Sequence, residues 1–211
     1  MSATQYPVFT VGHSNHSPET FVQLLLQHDV VEVVDVRSTP YSRHMPRFNL
    51  ESLNRMLDGM GIGYTFLGRE LGGRPSDRSC YDVNGRVRYD RVANTALFDD
   101  GVRRVMRDAN ERRIALMCTE KEPLECHRTL LVARILSERG VAVEHILADG
   151  GTENHSAAMD RLLDMFKLSH DGDMFTSRAE VIADALTRQA QKVAYKGEKP
   201  QASADQREGI S

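Results

Sequence analysis

Apolar and polar positions along the first 147 residues fall into blocks that read in turn as strand and helix. Val8-Phe9-Thr10-Val11 is a β-branched and aromatic run that ends at Gly12-His13-Ser14. Ser17-Pro18-Glu19 then supplies an N-cap, a first-turn proline and an acidic second position, and Phe21, Val22, Leu24, Leu25 and Leu26 give the helix its apolar face. Residues 30–36 are almost continuous Val, the mark of a strand covered on both faces. Beyond a polar stretch at 37–49, Leu50, Leu53, Met56 and Leu57 predict a second helix that Gly59 and Gly61 end. Residues 62–67 read as a third strand. A long segment at 68–90, rich in Gly, Arg, Asp and Ser, follows without periodicity, and such stretches are usually functional or mobile. A helix near 92–109, a buried strand at 113–118, a helix opened by Pro123 and running to Gly140, and a fifth strand at 141–146 complete the pattern.

Strands alternating with helices predict an α/β fold, a three-layer sandwich around a mostly parallel five-stranded sheet of Rossmann-like or flavodoxin-like type. After Gly150-Gly151 the pattern changes, and residues 159–168 and 179–190 read as helices. The expected organisation is a core domain at 1–150, a C-terminal helical extension of the same domain at 151–190, and a disordered tail at 191–211.

Composition narrows the class. The 27 Lys+Arg nearly balance 30 Asp+Glu, which argues against a surface built mainly to neutralise nucleic-acid phosphates. No apolar run approaches the roughly 20 residues of a membrane helix, and the N-terminus lacks the basic-then-apolar pattern of a secretory signal. Three cysteines make no disulfide framework and fit a reducing, cytoplasmic compartment. The average charge nevertheless conceals an asymmetry: residues 37–91 hold ten Arg against six acids.

In an open parallel sheet the ligand crevice lies beyond the carboxyl ends of the strands. Those expected ends gather nearly every chemically capable residue of the core: His13 and Ser14 after strand one, Asp35 and Arg37 at strand two, Arg69, Gly72 and Gly73 after strand three. Cys118 and Glu120 close strand four, Cys126, His127 and Arg128 stand near the next helix, and His145 closes strand five. Each also has a plainer role. His13 can bond a loop carbonyl, Asp35 and Arg37 can form a structural pair, and Gly72-Gly73 can supply positive φ for a turn. Cys118 can be a small buried hydrophobe. Gly72-Gly73 lacks the spacing of a dinucleotide or phosphate loop, and Cys80 has no partner in sequence.

The stretch from Cys118 to Arg128 admits three chemistries. A nucleophilic thiolate beside a helix N-terminus is one, but Glu120, Glu122 and Glu125 crowd the loop without a glycine and would repel a phosphate. Metal binding could draw on Cys118, Cys126, His127 and His13, yet adjacent helical side chains point about 100° apart. There is also no Cys-x-x-Cys pair, so no cofactor or metal is expected. The third chemistry uses Glu120 as general base or carboxylate nucleophile, His127 or Cys118 as its proton partner, and Arg37 and Arg128 to orient an anion. An oxocarbenium-like transition state, as in glycosidic cleavage, would be stabilised by such an acidic loop.

Several of these residues sit in motifs that resemble a known family. Thr10-Val11-Gly12-His13-Ser14, Val33-Val34-Asp35-Val36-Arg37-Ser38-x-Pro40 and Leu71-Gly72-Gly73-x-Pro75 are similar to the pattern of the bacterial "domain of unknown function 488" family. Cys118-x-Glu120 followed by Cys126-His127-Arg128, with Val143-x-His145-Ile146 downstream, is the most specific part. The resemblance implies a cytosolic bacterial α/β protein without an established activity.

The expectation is therefore a small-molecule enzyme, a hydrolase or transferase, for an anionic nucleotide-like or sugar-containing ligand. Glu120, Cys118, His127 and His13 are its catalytic candidates, and Ser14, Asp35, Arg37, Arg69, Gly72, Gly73, Cys126 and Arg128 its substrate-binding candidates. One alternative is a redox-sensing or metal-binding module using Cys118 and Cys126. Another is a nucleic-acid-binding protein using the Arg-rich region 37–91, which carries no recognisable docking motif.

Overall fold

Strands β1 (Val8–Gly12), β2 (Glu32–Asp35), β3 (Gly63–Phe66), β4 (Ile114–Cys118), β5 (Val143–Ile146) and β6 (Thr152–Asn154) form one sheet, ordered β3-β2-β4-β1-β5-β6. This is a computed structural model, and residues 5–172 and 174–197 are described. The first five strands run parallel and lie within two residues of the positions the hydrophobic pattern predicts. The sheet has six strands where five were expected: β6 runs antiparallel to β5 at the edge. Thr152-Glu153-Asn154 carries no apolar alternation, because an edge strand is recruited by backbone hydrogen bonds alone, and that leaves no trace in the side chains.

Neighbouring residues of the central strands go to opposite faces, as the pleat requires. Phe9, Val33 and Met117 join Phe21, Leu25, Leu53 and Leu57 on one face, beneath α1 (Pro18–Leu26) and α2 (Leu50–Asp58). Val8, Val34 and Leu116 face the other way. That side is covered by α3 (Gly68–Leu71), α4 (Tyr89–Ala93), α5 (Ala96–Glu111), α6 (Arg134–Glu138), α7 (His155–Phe166) and α8 (Arg178–Val193). The result is the expected α/β layering. Ala158, Leu162, Ala185 and Leu186 of α7 and α8 belong to the same core cluster as Leu71 and Phe98.

Local signals set the helix starts. Ser17 accepts from the Thr20 N–H at 3.1 Å with Pro18 at the first position of α1. Thr95 accepts from Phe98 N at 3.2 Å and starts α5, which separates it from α4 where one helix was expected.

Residues 68–90 are more ordered than their composition implies. Asp77 caps a 3-10 turn at Arg78–Cys80, Tyr81 pairs with Val87 across a tight reversal, and Cys80, Tyr81, Val87 and Tyr89 are buried in the core. Their spacing fits neither a helix nor a strand, so only tertiary burial reveals them. Residues 191–197 differ from expectation in the same way. They finish α8 and then lie against this segment, with Val87 N donating to Tyr195 O at 2.9 Å and Ala194 buried. The polar average of the tail concealed Val193, Ala194 and Tyr195; its remainder, residues 198–211, lies outside the described residues.

Candidate functional site

The strand order decides which ends meet. β4 lies between β2 and β1, with Gly12 beside Cys118 and Asp35 beside Met117, so three carboxyl ends adjoin. Over them opens a cavity of about 420 Å³ with Cys118, Glu120 and His127 in its lining, and Arg37, Arg74 and Tyr195 on its wall.

The chain after β4 corrects one expectation. Instead of a continuous helix from Pro123, a 3-10 turn covers Pro123–Glu125, with the Glu122 carboxylate accepting from Leu124 N at 3.1 Å. Cys126 is then extended, at φ −127° and ψ 139°. His127 leads into a π-helical stretch, Arg128–Ala133, and only then does α6 begin. Wide π turns recur at functional sites. Because Cys126 stands outside the helix, the helical angle that was expected to separate its side chain from His127 does not apply.

Cys118 Sγ and Cys126 Sγ lie 3.1 and 3.0 Å from the same oxygen, Oε2 of Glu120. His127 Nδ1 is 3.6 Å from the first sulfur and 3.9 Å from the second. The two cysteines are buried, while Glu120 reaches solvent. Three acids this close cannot all ionise unaided. Cys118 is pushed well up by its hydrogen bond to Cys126 and by burial. Burial opposes the Cys126 thiolate, but the Cys118 bond, Arg128 and His127 together draw that thiol well down. Glu120 is raised by burial and by Cys126. His127 is raised too: burial opposes its charge, and Cys126 and Glu120 outweigh burial.

Backbone positions hold this cluster. The His127 Nε2–H donates to the Val36 carbonyl at 3.0 Å, which turns Nδ1 toward the sulfurs. Arg128 is fully buried and donates to the Glu120 carbonyl at 2.6 Å and the Lys121 carbonyl at 3.3 Å, so it braces the loop instead of facing the cavity. Gly12 makes that approach possible: a Cβ there would stand 1.9 Å from the Glu120 carbonyl oxygen. Gly72 and Gly73 serve a similar end. Neither has positive φ, and a Cβ would lie 2.6 Å from Ser38 Oγ at the first and 2.9 Å from the His127 ring at the second. Their reason is close packing, and a turn geometry is not involved.

On the other side, Asp35 is completely buried and grips Arg37 through Nε at 2.9 Å and Nη2 at 2.6 Å, while accepting from Tyr64 Oη at 2.8 Å. His13 Nδ1 donates to the Ser14 carbonyl at 3.0 Å and leaves Nε2 3.4 Å from Arg37 Nη1. Burial and the Arg37 charge lower His13 to about 4, so its imidazole is neutral at ordinary pH. Ser14 takes a left-handed φ of 45° and forms the corner.

Of the residues singled out in the sequence, Cys118, Glu120, Cys126 and His127 meet within one cluster, and Arg37 and Gly73 line the same cavity. His13, Ser14, Asp35, Gly72 and Arg128 stand behind these, supporting them. Arg69 is exposed on α3 and does not line the cavity. His13 is no part of the four-residue donor cluster, in which Glu120 stands instead. Arg74 and Tyr195, which also line the cavity, are not among the residues singled out in the sequence. Arg74 occupies the variable position of the Leu71-Gly72-Gly73-x-Pro75 motif, whereas nothing in the sequence joins Tyr195 to residues some 120 positions earlier. The Arg-rich middle is largely engaged internally: Arg88 pairs with Asp90, Arg91 donates to the Ser79 and Tyr81 carbonyls, and Arg86 to that of Gln191.

Fold and site together define an α/β protein with a dithiol, carboxylate and imidazole cluster at the carboxyl edge of a parallel sheet. The chain belongs to the family described as "Domain of unknown function DUF488", whose model matches residues 17–135. No curated protein matches it. Among the described residues no helix is long and apolar enough to cross a membrane.

Proposed function

We propose that the chain is a cytoplasmic enzyme that hydrolyses an anionic nucleotide-like or sugar-containing molecule at the glycosidic bond, with Glu120 as general base. One observation carries this: the Glu120 carboxylate stands between two thiols in the lining of an open cavity that also presents Arg37. Asp35 holds the Arg37 guanidinium in place, which suits it to fix an anionic group near the reacting bond. In the step, Glu120 takes a proton from water and the water oxygen bonds to the anomeric carbon. The electron pair of the breaking glycosidic bond leaves with the base or alcohol, which then takes up the proton that Glu120 removed. Removing a positioned general base typically costs about 10²–10⁴-fold in rate.

The test incubates the full chain with nucleoside monophosphates and with alkyl glycosides phosphorylated on the sugar, and follows release of base or alcohol by proton NMR. Wild type is expected to release product. Glu120→Gln should lose about a thousandfold of that rate while binding inorganic phosphate as before. Retained turnover in Glu120→Gln, or no cleavage across both substrate sets, overturns the proposal.

A further inference from the structure

We propose that Cys118, Glu120, Cys126 and His127 bind one divalent ion of the zinc class. As a catalytic metal it rests on the hydrolytic function proposed above; as a binding site it needs only the four donors. Their ligand atoms all lie within 4.8 Å of one another. A tetrahedral ion with ordinary zinc bond lengths sets its sulfur, nitrogen and oxygen ligands about 3.6 Å apart. The sulfur-to-nitrogen separations here are 3.6 and 3.9 Å, and the sulfur-to-oxygen separations are 3.1 and 3.0 Å. Against the two sulfurs, closing around an ion asks Glu120 to move out by about half an ångström.

The kinds of donor select the ion. Two thiolates and an imidazole favour zinc or a similar borderline-soft ion over magnesium or calcium, which take oxygen ligands. The Val36 carbonyl only accepts, so the neutral His127 carries its proton on Nε2 and aims the Nδ1 lone pair into the cluster. Ligating histidines are oriented by this kind of bond from the far ring nitrogen. Charge completes the picture. Two thiolates and the Glu120 carboxylate bring three negative charges, and a divalent ion with the buried Arg128 guanidinium beside the loop offsets all three.

The four donors are unequal, and that gives the site its character. Cys118, Cys126 and His127 are buried, but Glu120 is exposed on the cavity side. Three fixed protein ligands with one exchangeable position mark a catalytic zinc site, whereas a structural one is closed. Glu120 is thus the ligand that yields, and once free it stands beside water entering from the cavity, where the ion lowers that water's pKa and the carboxylate takes its proton.

The experiment titrates the reduced, chelator-stripped full chain with Co²⁺ and follows its absorption. One equivalent is expected to bind, with a thiolate-to-cobalt charge-transfer band and the intense visible bands of a tetrahedral ion, both bleached by one equivalent of Zn²⁺. Glu120→Gln should keep the charge-transfer band, with affinity lowered by about 10–100-fold, and Cys126→Ser should lose most of it. The wild-type spectrum alone demands sulfur ligation, so the test survives a variant that does not fold. A reduced wild type with no charge-transfer band, or an unchanged band in Cys126→Ser, overturns the site. Hydrolysis is read separately: cobalt binding without cleavage keeps the site and removes the proposed function, and cleavage by metal-free protein keeps the function and removes the ion's catalytic role.

Discussion

Two buried histidine clusters lie within electrostatic reach of Arg128, and only one of them opens to solvent. In the open one, His127 faces two thiols and a carboxylate in the lining of the cavity. In the closed one, Thr10 Oγ1 lies 2.8 Å from His145 Nδ1, and His145 Nε2 lies 3.1 Å from His155 Nδ1. Burial acts on both clusters with opposite outcomes. His127 is raised because Cys126 and Glu120 overcome burial. His155 is lowered to about 4, by burial first and then by Arg134, and His145 is lowered further still, by burial and by its neighbour His155. Both stay neutral at ordinary pH and act as a hydrogen-bonded strut between β1, β5 and the start of α7. In the sequence His145 and Cys118 send the same signal, a polar residue at the end of an apolar strand. What separates a reacting centre from a strut is the acid content of the neighbourhood and access from solvent.

The sharpest way to break this contrast is to remove the strut. His145→Ala deletes a fully buried ring, leaves a cavity, and strands the Thr10 hydroxyl and a His155 nitrogen. A loss of about 3–5 kcal/mol in folding stability is expected from cavity and unpaired polar groups together. Urea denaturation measures it, and inorganic phosphate should still bind the folded variant with wild-type affinity. A folded His145→Ala that loses phosphate binding would make the two clusters one functional unit.

Acid should find the same strut. The folded pKa values of His145 and His155 lie below the ordinary 6.5, so the unfolded chain takes up protons that the native state refuses. Stability from this source is therefore whole above pH 6.5 and declines as the pH falls toward 4. For His155 alone, a shift from 6.5 to about 4 corresponds to about 3 kcal/mol lost by pH 4. His13, also lowered to about 4, adds in the same direction. The urea midpoint of the wild type should fall steadily between pH 6.5 and 4.5, and the fall should shrink in His155→Gln. A midpoint that stays level over that range would show that these rings do not carry the load assigned to them.

How much of this could be read from the chain differs between the two clusters. The parallel strands were legible because burial on both faces writes continuous apolar runs such as Val33-Val34, and their carboxyl ends located Cys118, Glu120 and Arg37 together. The edge strand β6 was not, since backbone pairing leaves no apolar pattern. The donor geometry was misread for a specific reason: Pro123 looked like the start of one helix, and only the 3-10 turn and the extended Cys126 bring that thiol beside the His127 ring. The glycine pair at 72 and 73 was visible, but its purpose depends on which side chains approach from 34 and 54 residues away. The His145–His155 contact is joined by β6, the one strand without a sequence signal, and so was invisible.

The smallest effect should appear on the wall of the open cluster. The Arg74 backbone is pinned by its N–H bond to Ser38 Oγ at 2.9 Å, and its guanidinium lies 4.5 Å over the Tyr195 ring. That ring sits just beyond α8 and holds the cation against the cavity opening without itself adding charge. An exposed cation–π contact is worth about 0.5–1 kcal/mol, so Tyr195→Ala should weaken inorganic phosphate binding by about two- to fivefold. Arg74→Ala removes the charge as well and should cost more, with a shallower dependence on salt. Calorimetry at two ionic strengths separates the two variants, and neither should move the acid-sensitive stability of the closed cluster. Equal losses in both variants would mean that Tyr195 does more than position Arg74, and an unchanged affinity in both would detach this wall from anion binding and leave Arg37 as the group that fixes the ligand.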